Sequence, residues 1–312
     1  MLRRPFVALV LAGLLVTAGA CAPASLPVEV GPAPTSTASQ APLDVDGRPG
    51  QVPRLLYDKP LEVLEPVSRT VWPGTGERLE RDHPVLLNIY AEDGRDGTEL
   101  QNTFRSAPAP YTMTETSLGN HLFAALRGKR AGARVMLMET DTAGGEEVPV
   151  VLVVDVLPTR ASGTELADPP GGLPRVTRDD LGVPTVRIPR DAKPPQDLEV
   201  VPLVRGRGPQ VAEGQVITVE LHAVTWADRT VVESTWEEGA PPRSAQVGIG
   251  ALIEGWDVGL VQQPVGSQVM LVVPPDMAYA GTKNPLAGET LVYVIDILDA
   301  HQPVRENEKK KD

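Results

Sequence analysis

One cysteine and four histidines are the side chains best suited to nucleophilic, redox or metal chemistry in this 312-residue chain. Cys21 stands alone, so neither an internal disulfide nor a multi-cysteine zinc site can form. His83, His121, His222 and His301 are widely spaced, and no two are placed for one helix face, so the zinc-protease motif is absent. No Gly-x-Ser-x-Gly elbow occurs either. Haem, iron–sulfur and zinc enzymes and serine hydrolases are thereby disfavoured, and neither a cofactor nor a metal is expected. The formal charge of −12 argues against a general nucleic-acid binder, which needs a basic face to displace counterions.

The elements that must position any site begin after a leader. Residues 1–20 carry Arg3 and Arg4, an apolar run from Phe6 to Val16 and then small residues, the pattern of a signal peptide. The run is shorter than the roughly 20 apolar residues of a membrane span. The leader ends Thr17-Ala18-Gly19-Ala20-Cys21, which resembles a bacterial lipobox with Ala18 in place of the usual Leu. In that reading Cys21 receives the lipid and becomes the new N-terminus; the rival is ordinary cleavage after Ala20 with an idle thiol. The only cysteine falls where the lipid would go, which favours the anchor, held by about 0.8 kcal/mol per buried CH₂. Residues 21–52, rich in Pro, Ala, Ser and Thr, read as a lipidated cysteine followed by a disordered tether.

Two later stretches repeat each other. Leu61-Glu62-Val63, a Gly74-Thr75-Gly76 turn and the strand 84–90 match Leu198-Glu199-Val200, Gly206-Arg207-Gly208 and the strand 215–221. Gly132-Ala133-Arg134-Val135-Met136-Leu137 matches Gly266-Ser267-Gln268-Val269-Met270-Leu271, and the closing strand 152–157 matches 293–298. Tandem domains are expected at 53–158 and 193–301, with a Pro/Gly-rich linker at 159–192 and a charged tail at 302–312. Within the linker, Pro184–Pro189 is a candidate edge segment. In the second unit the β-branched runs predict strands near 198–203, 216–224, 230–234, 268–274 and 290–298. One short helix fits 256–262, with Asp257 suiting its positive end. A sheet wrapped on one short helix is an α+β half-barrel.

Gly248, the run Leu252-Ile253-Glu254-Gly255-Trp256-Asp257-Val258-Gly259-Leu260, Pro274-Pro275-Asp276-Met277-Ala278-Tyr279 and Glu289-Thr290-Leu291-Val292 stand in one order over about 100 residues. In that order they resemble the FKBP-type peptidyl-prolyl cis–trans isomerases. The resemblance implies two FKBP-like half-barrel domains, each an antiparallel sheet wrapped on a short helix. It implies an apolar bowl with Trp256 as its floor. Leu252 and Ile253 match the aliphatic pair whose backbone meets the bound peptide, and Tyr279 the tyrosine whose hydroxyl bonds the ligand. Tyr293 replaces a wall phenylalanine, Glu233 the pocket aspartate and Val232 the phenylalanine before it. Counted back without gaps from Glu233, His222 falls where the family has a strand tyrosine. Each residue has a plainer reading: Trp256 as core, Tyr279 as surface, Tyr293 and His222 as ordinary strand residues, Glu233 as a solvated edge charge. Trp226 and Trp236 read as core or lid packing rather than a binding rim. The first unit resembles a degenerate copy, with Leu122 at the tryptophan position, Gln101 at the aspartate position, Tyr90 matching His222, and no Ala-Tyr segment after Met138.

The resemblance implies a peptidyl-prolyl isomerase acting in the second domain on unfolded or Pro-containing exported polypeptides. The protein would be lipid-anchored at the extracytoplasmic face of the cell membrane. The thinned aromatic wall favours the competing reading, a catalytically weak FKBP-fold binding module or chaperone at the cell surface. A structural envelope protein is a third.

Overall fold

The computed structural model describes residues 43–143, 146–237 and 240–303. The leader, Cys21 and most of the expected tether lie outside the described residues, as do residues 304–312 of the tail.

Two antiparallel sheets make up the body. A hairpin of β1 (Asp44–Asp46) and β2 (Arg54–Leu56) comes first. The strands β3 (Val67–Trp72), β4 (Pro84–Asp93), β5 (Glu99–Asn102), β6 (Ala109–Thr112), β7 (Arg134–Ala143) and β8 (Glu146–Leu157) follow. They form one sheet in the order β3-β7-β8-β4-β5, with β6 also pairing β4. Helices α1 (Glu115–Leu118) and α2 (Asn120–Leu126) lie between β6 and β7. Next come β9 (Gly163–Glu165) and a second hairpin, β10 (Arg175–Arg178) with β11 (Pro184–Arg187). The second sheet takes β12 (Glu199–Gly206), β13 (Val216–Thr225), β14 (Val231–Ser234), β15 (Arg243–Gln246), β16 (Gln268–Val273) and β17 (Leu291–His301), with helix α3 (Glu254–Leu260) before β16. Its order is β14-β13-β17-β16-β12-β9, with β15 pairing β13. Leaving out β9 and reading backwards, β12, β16, β17, β13 and β14 take the places of β3, β7, β8, β4 and β5.

Strands β16 and β17 read as continuous apolar, largely β-branched runs, because both faces of the second sheet are covered. On one face Ile217, Val219, Leu221, Leu271, Ile295 and Trp256 pack beneath α3. On the other, Met270, Val272, Val292 and Val294 pack beneath Val176, Val186 and Ile188 of the β10–β11 hairpin and its exit. Each side chain fully buried in this way contributes about 1.5–3 kcal/mol. Helix α3 can lie flat because Gly255 and Gly259 carry no side chain. A Cβ on them would fall 2.5 Å from Val273 and 2.6 Å from Leu271.

The first sheet is covered in the same way. Its α1–α2 face packs Leu118, Leu122, Phe123 and Leu126 on Val85, Leu87, Val135 and Val154. Its hairpin face packs Leu43, Val45, Leu55 and Tyr57 on Met136, Met138, Val151 and Val153. The hairpins belong to the repeat: Val52-Pro53-Arg54-Leu55-Leu56-Tyr57 matches Val183-Pro184-Thr185-Val186-Arg187-Ile188 in order. In both copies the closing strand fastens the chain that leads in. Asp155 accepts the Gly50 N–H at 3.2 Å, and Asp296 accepts the Ala161 N–H at 2.7 Å.

Two expectations change. Residues 43–52 were expected within a disordered tether, yet Leu43 is core and β1 pairs β2. Residues 159–192 are expected as a linker with an edge segment at Pro184–Pro189; that segment is strand β11, but β9 also extends the second sheet and the hairpin covers its face, with Ile188 buried. Pro and Gly obscured both, because here they shape tight hairpins rather than free chain. The helix also begins two residues before the expected 256, because the Ile253 carbonyl already accepts the Trp256 and Asp257 N–H groups. Asp257 stands in the first turn of α3, as expected, and has a second task besides. Its carboxylate accepts the N–H groups of Gly248 and Gly250 at 2.7 and 2.8 Å, tying the preceding loop to the helix.

Candidate active site

The cleft forms where α3, the loop after β16 and β17 meet. Ile253 is the N-cap of α3 in an extended conformation, so its side chain and that of Leu252 turn outward, half-buried. Its N–H has no acceptor among the described residues. One turn on, the helix carries Trp256 inward at 3% exposure. After β16 the chain leaves the sheet, makes a 3₁₀ turn at Pro275–Met277 and brings up Tyr279. Strand β17 supplies Tyr293, whose ring meets the Trp256 ring edge-on at 5.6 Å and 87°. Leu252, Ile253, Trp256, Tyr279 and Tyr293 thus line one cleft of about 430 Å³, with Met277 and Ala278 between them.

Glu233 stands one step behind this wall. In register, Glu233 opposes Ala223 and Ala223 opposes Tyr293, which puts the carboxylate over the pocket side of the sheet. Its partner is Arg243, whose Nη1 donates to Glu233 Oε1 and Oε2 at 2.7 and 2.9 Å. The Arg243 guanidinium lies 5.4 Å from the Trp256 ring centroid and lines the cleft. A cation over an indole face is favourable by about 0.5–1 kcal/mol where water still reaches it. Sequence reasoning missed Arg243. It follows Pro241-Pro242 at the start of β15, a strand too short and polar to announce itself, and only the fold brings it to Glu233.

The electrostatics keep the wall neutral. Burial first, then Tyr279 as nearby charge and hydrogen-bond partner, then Glu233, push the Tyr293 hydroxyl well above the usual tyrosine range, with Arg243 opposing. Tyr293 is therefore held toward its neutral hydroxyl form. The Trp256 Nε1–H is buried without a partner among the described residues.

His222 points away from this cleft. It neighbours Val294 and Met270 in register, on the face covered by the β10–β11 hairpin, and its Nδ1 lies 3.3 Å from the Ser234 Oγ. Burial holds its pKa below the ordinary histidine value. The ungapped count fails because β14 carries a bulge against β13 between Ala223 and Val224, where Val232 is the extra residue. Leu221 and Ala223 face the pocket side instead, and Val232 packs against that same cluster. Trp226 is core on the hairpin face. Trp236 is half-buried at the end of the segment after β14.

The first sheet assembles no such cleft from the corresponding residues. Leu122 is buried in the core under α2, and Gln101 opposes Ala91 but is exposed. Tyr90 sits on the hairpin face and donates to Glu92 at 2.9 Å, beside Tyr57, which donates to the same carboxylate at 2.6 Å. The loop that would carry a second tyrosine is missing, because β7 runs on to Ala143 and returns as β8.

Residues 208–298 match the family described as FKBP-type peptidyl-prolyl cis-trans isomerase. A probable FK506-binding protein of Corynebacterium glutamicum is 32% identical over 108 residues, covering 34% of this chain and 89% of that protein. An FK506-binding protein of Streptomyces anulatus is 33% identical over 110 residues, covering 34% of this chain and 88% of the relative. The crystal structure of the three FKBP domains of wheat FKBP73 aligns with 76% of this chain and 95% of its own, at 18% identity and a TM-score of 0.31.

Proposed function

Because the chain belongs to the FKBP-type peptidyl-prolyl cis–trans isomerases, we propose that its second sheet is the catalytic half-barrel and its first a half-barrel of the same kind without a working pocket. The observation that carries this reading is the convergence of Leu252, Ile253, Trp256, Tyr279 and Tyr293 on one cleft.

The chemistry follows from amide resonance. Rotation about a peptide bond faces a barrier of about 18–20 kcal/mol, and X–Pro bonds exchange in tens to hundreds of seconds unaided. Planar amide is the more dipolar form and is well solvated by water. A proline ring on the apolar floor of Trp256 leaves that solvation behind, and the twisted amide gains relative to the planar one. The unpaired Ile253 N–H and the Tyr279 hydroxyl are placed to hold flanking carbonyls while rotation proceeds. Tyr293, held toward its neutral form, walls the ring without offering a charge. Each 1.4 kcal/mol of differential stabilisation gives about tenfold in rate. The Glu233–Arg243 pair braces the wall from behind.

The test is X–Pro isomerisation of a short peptide by the full chain and by its Trp256→Leu variant. Acceleration that falls with the substitution supports the reading; equal rates in both remove Trp256 from the site. A second reading, a binding module that holds Pro-containing segments without turnover, is favoured by one observation: the cationic Arg243, half-exposed, lines the cleft beside the indole. Peptide binding without acceleration would select it.

For location, the motif Thr17-Ala18-Gly19-Ala20-Cys21 supports a lipid anchor on Cys21 and a role beside exported, still-folding polypeptides. Among the described residues no helix is long and apolar enough to cross a membrane. Metabolic labelling with a palmitate analogue, lost in Cys21→Ser, is the check.

A further inference from the structure

Charge at the mouth of the cleft is unevenly balanced. Three ionisable side chains other than tyrosine line it: Arg243, Glu254 and Asp276. Arg243 is the cation, and Glu233 already holds it through both carboxylate oxygens. Glu254 sits on the first turn of α3, next to Ile253, and Asp276 sits in the 3₁₀ turn that leads to Tyr279. Both are exposed, and neither has an ion-pair or hydrogen-bond partner among the described residues. Two unneutralised carboxylates therefore stand beside Ile253 and Tyr279, the groups placed to hold the peptide on either side of its proline.

From this arrangement we infer that the cleft selects prolines whose neighbouring residues are basic, with Glu254 and Asp276 as the specificity-determining residues. The inference rests on the isomerase reading and adds its substrate class. A lysine next to the proline comes within several ångströms of one carboxylate or the other. In water, opposite unit charges at about 7–8 Å are worth roughly twofold to threefold in affinity, and like charges lose as much. A lysine peptide and its glutamate counterpart should thus differ by about five- to tenfold in kcat/KM. The preference is Coulombic at an exposed rim, so it should shrink as added salt shortens the Debye length to about 3–4 Å. The apolar floor gives no such salt dependence.

The experiment uses the full chain and a set of tetrapeptides with Lys, Ala or Glu at the residue before or after a single proline. The rate order Lys over Ala over Glu in low salt is expected, converging at high salt. Glu254→Gln and Asp276→Asn change exposed side chains and leave the floor intact. Together they should bring the Lys and Glu peptides to within about twofold of each other. Equal rates for Lys and Glu peptides in the unmodified protein, or a preference for Glu, would overturn the inference and leave the isomerase reading standing. Absence of turnover on the Ala peptide would strike the isomerase reading itself. Binding of the same peptides, followed by calorimetry, would then decide the charge preference on its own: tighter Lys peptides support it and equal affinities sink it.

Discussion

In the first sheet β7 runs straight through a hairpin into β8, whereas in the second β16 stops at Val273 and residues 274–290 intervene before β17. Around that difference the scaffolds agree closely. Asn88 and Glu220 hold equivalent places, and each accepts a hydrogen bond from a threonine hydroxyl, Thr103 or Thr235. Those same hydroxyls accept the Ile89 and Leu221 N–H groups at 2.7 and 2.8 Å. Arg134 and Gln268 also correspond, each bound to the aspartate of the closing strand. The comparison teaches that the sheet, its hairpin and its threonine clamp are common to both copies, whereas the loop after β16 and Trp256, which line the cleft, belong to the second alone.

The sharpest way to separate the copies is through their buried aspartates. Arg134 is 0% exposed, stacks 4.4 Å from the Trp72 ring and donates to both Asp155 oxygens. Asp155→Ala strands that buried cation, and the first sheet should lose about 3–5 kcal/mol in denaturant unfolding. Asp296→Ala leaves only a neutral Gln268 and the Ala161 N–H without an acceptor, so about 1–3 kcal/mol is expected. Equal losses would erase the distinction.

Next in size is an effect of pH confined to the second copy. Burial pushes Glu220 up to about 7, with Thr235 opposing and Asp296 adding to the rise. Burial likewise pushes Asp296 up to about 6 against the Ala161 and Gln268 hydrogen bonds. Both are carboxyl groups with raised pKa, so the folded state keeps protons that the unfolded chain has released. These two groups should therefore add stability as pH falls through about 7 and then about 6, by on the order of 2 kcal/mol and levelling off below the unfolded values near 4, while the buried His222, its pKa lowered, works against them. Glu220→Asn, which installs the residue of the first copy, should remove the upper part of that slope, near pH 7, and leave the part near pH 6 that belongs to Asp296. An unchanged slope would place the titration elsewhere.

Function gives the third contrast. Trp256→Leu copies Leu122 into the second sheet and should cost at least about tenfold in kcat/KM, or 1.4 kcal/mol. Leu122→Trp should confer no turnover, because the loop bearing Tyr279 has no counterpart. Turnover from that variant would mean the loop is dispensable. The smallest effect concerns Gln262, a non-glycine residue at φ 68°, where the first copy has Gly128 at φ 76°. Gln262→Gly should stabilise the second sheet by about 0.5–1 kcal/mol, read as a small rise in Tm.

Much of this was legible in residue order. Repeated glycine turns and closing strands pointed to the duplication, and Leu252, Ile253, Trp256, Tyr279 and Tyr293 do share one cleft. What escaped did so for physical reasons. The hairpins β1–β2 and β10–β11 are short and rich in Pro and Gly, and their apolar residues pack against a sheet that contributes most of the core. Arg243 belongs to the site through a contact across strands, which no local spacing records. His222 takes its plainer reading, an ordinary strand residue, because one bulged residue reverses which face a strand position looks toward.

The aspartate on each closing strand has a consequence for how the chain matures. It fastens a segment that precedes it by 105 residues in one copy and 135 in the other. A module whose first and last pieces hold each other cannot seal while it is still emerging; its leading hairpin waits for the final strand. Contacts of such long sequence separation slow folding, because loop-closure entropy is lost before they form. Each copy therefore passes through an open interval during synthesis, in which its leading hairpin and the prolines within it stay uncovered until the closing strand arrives.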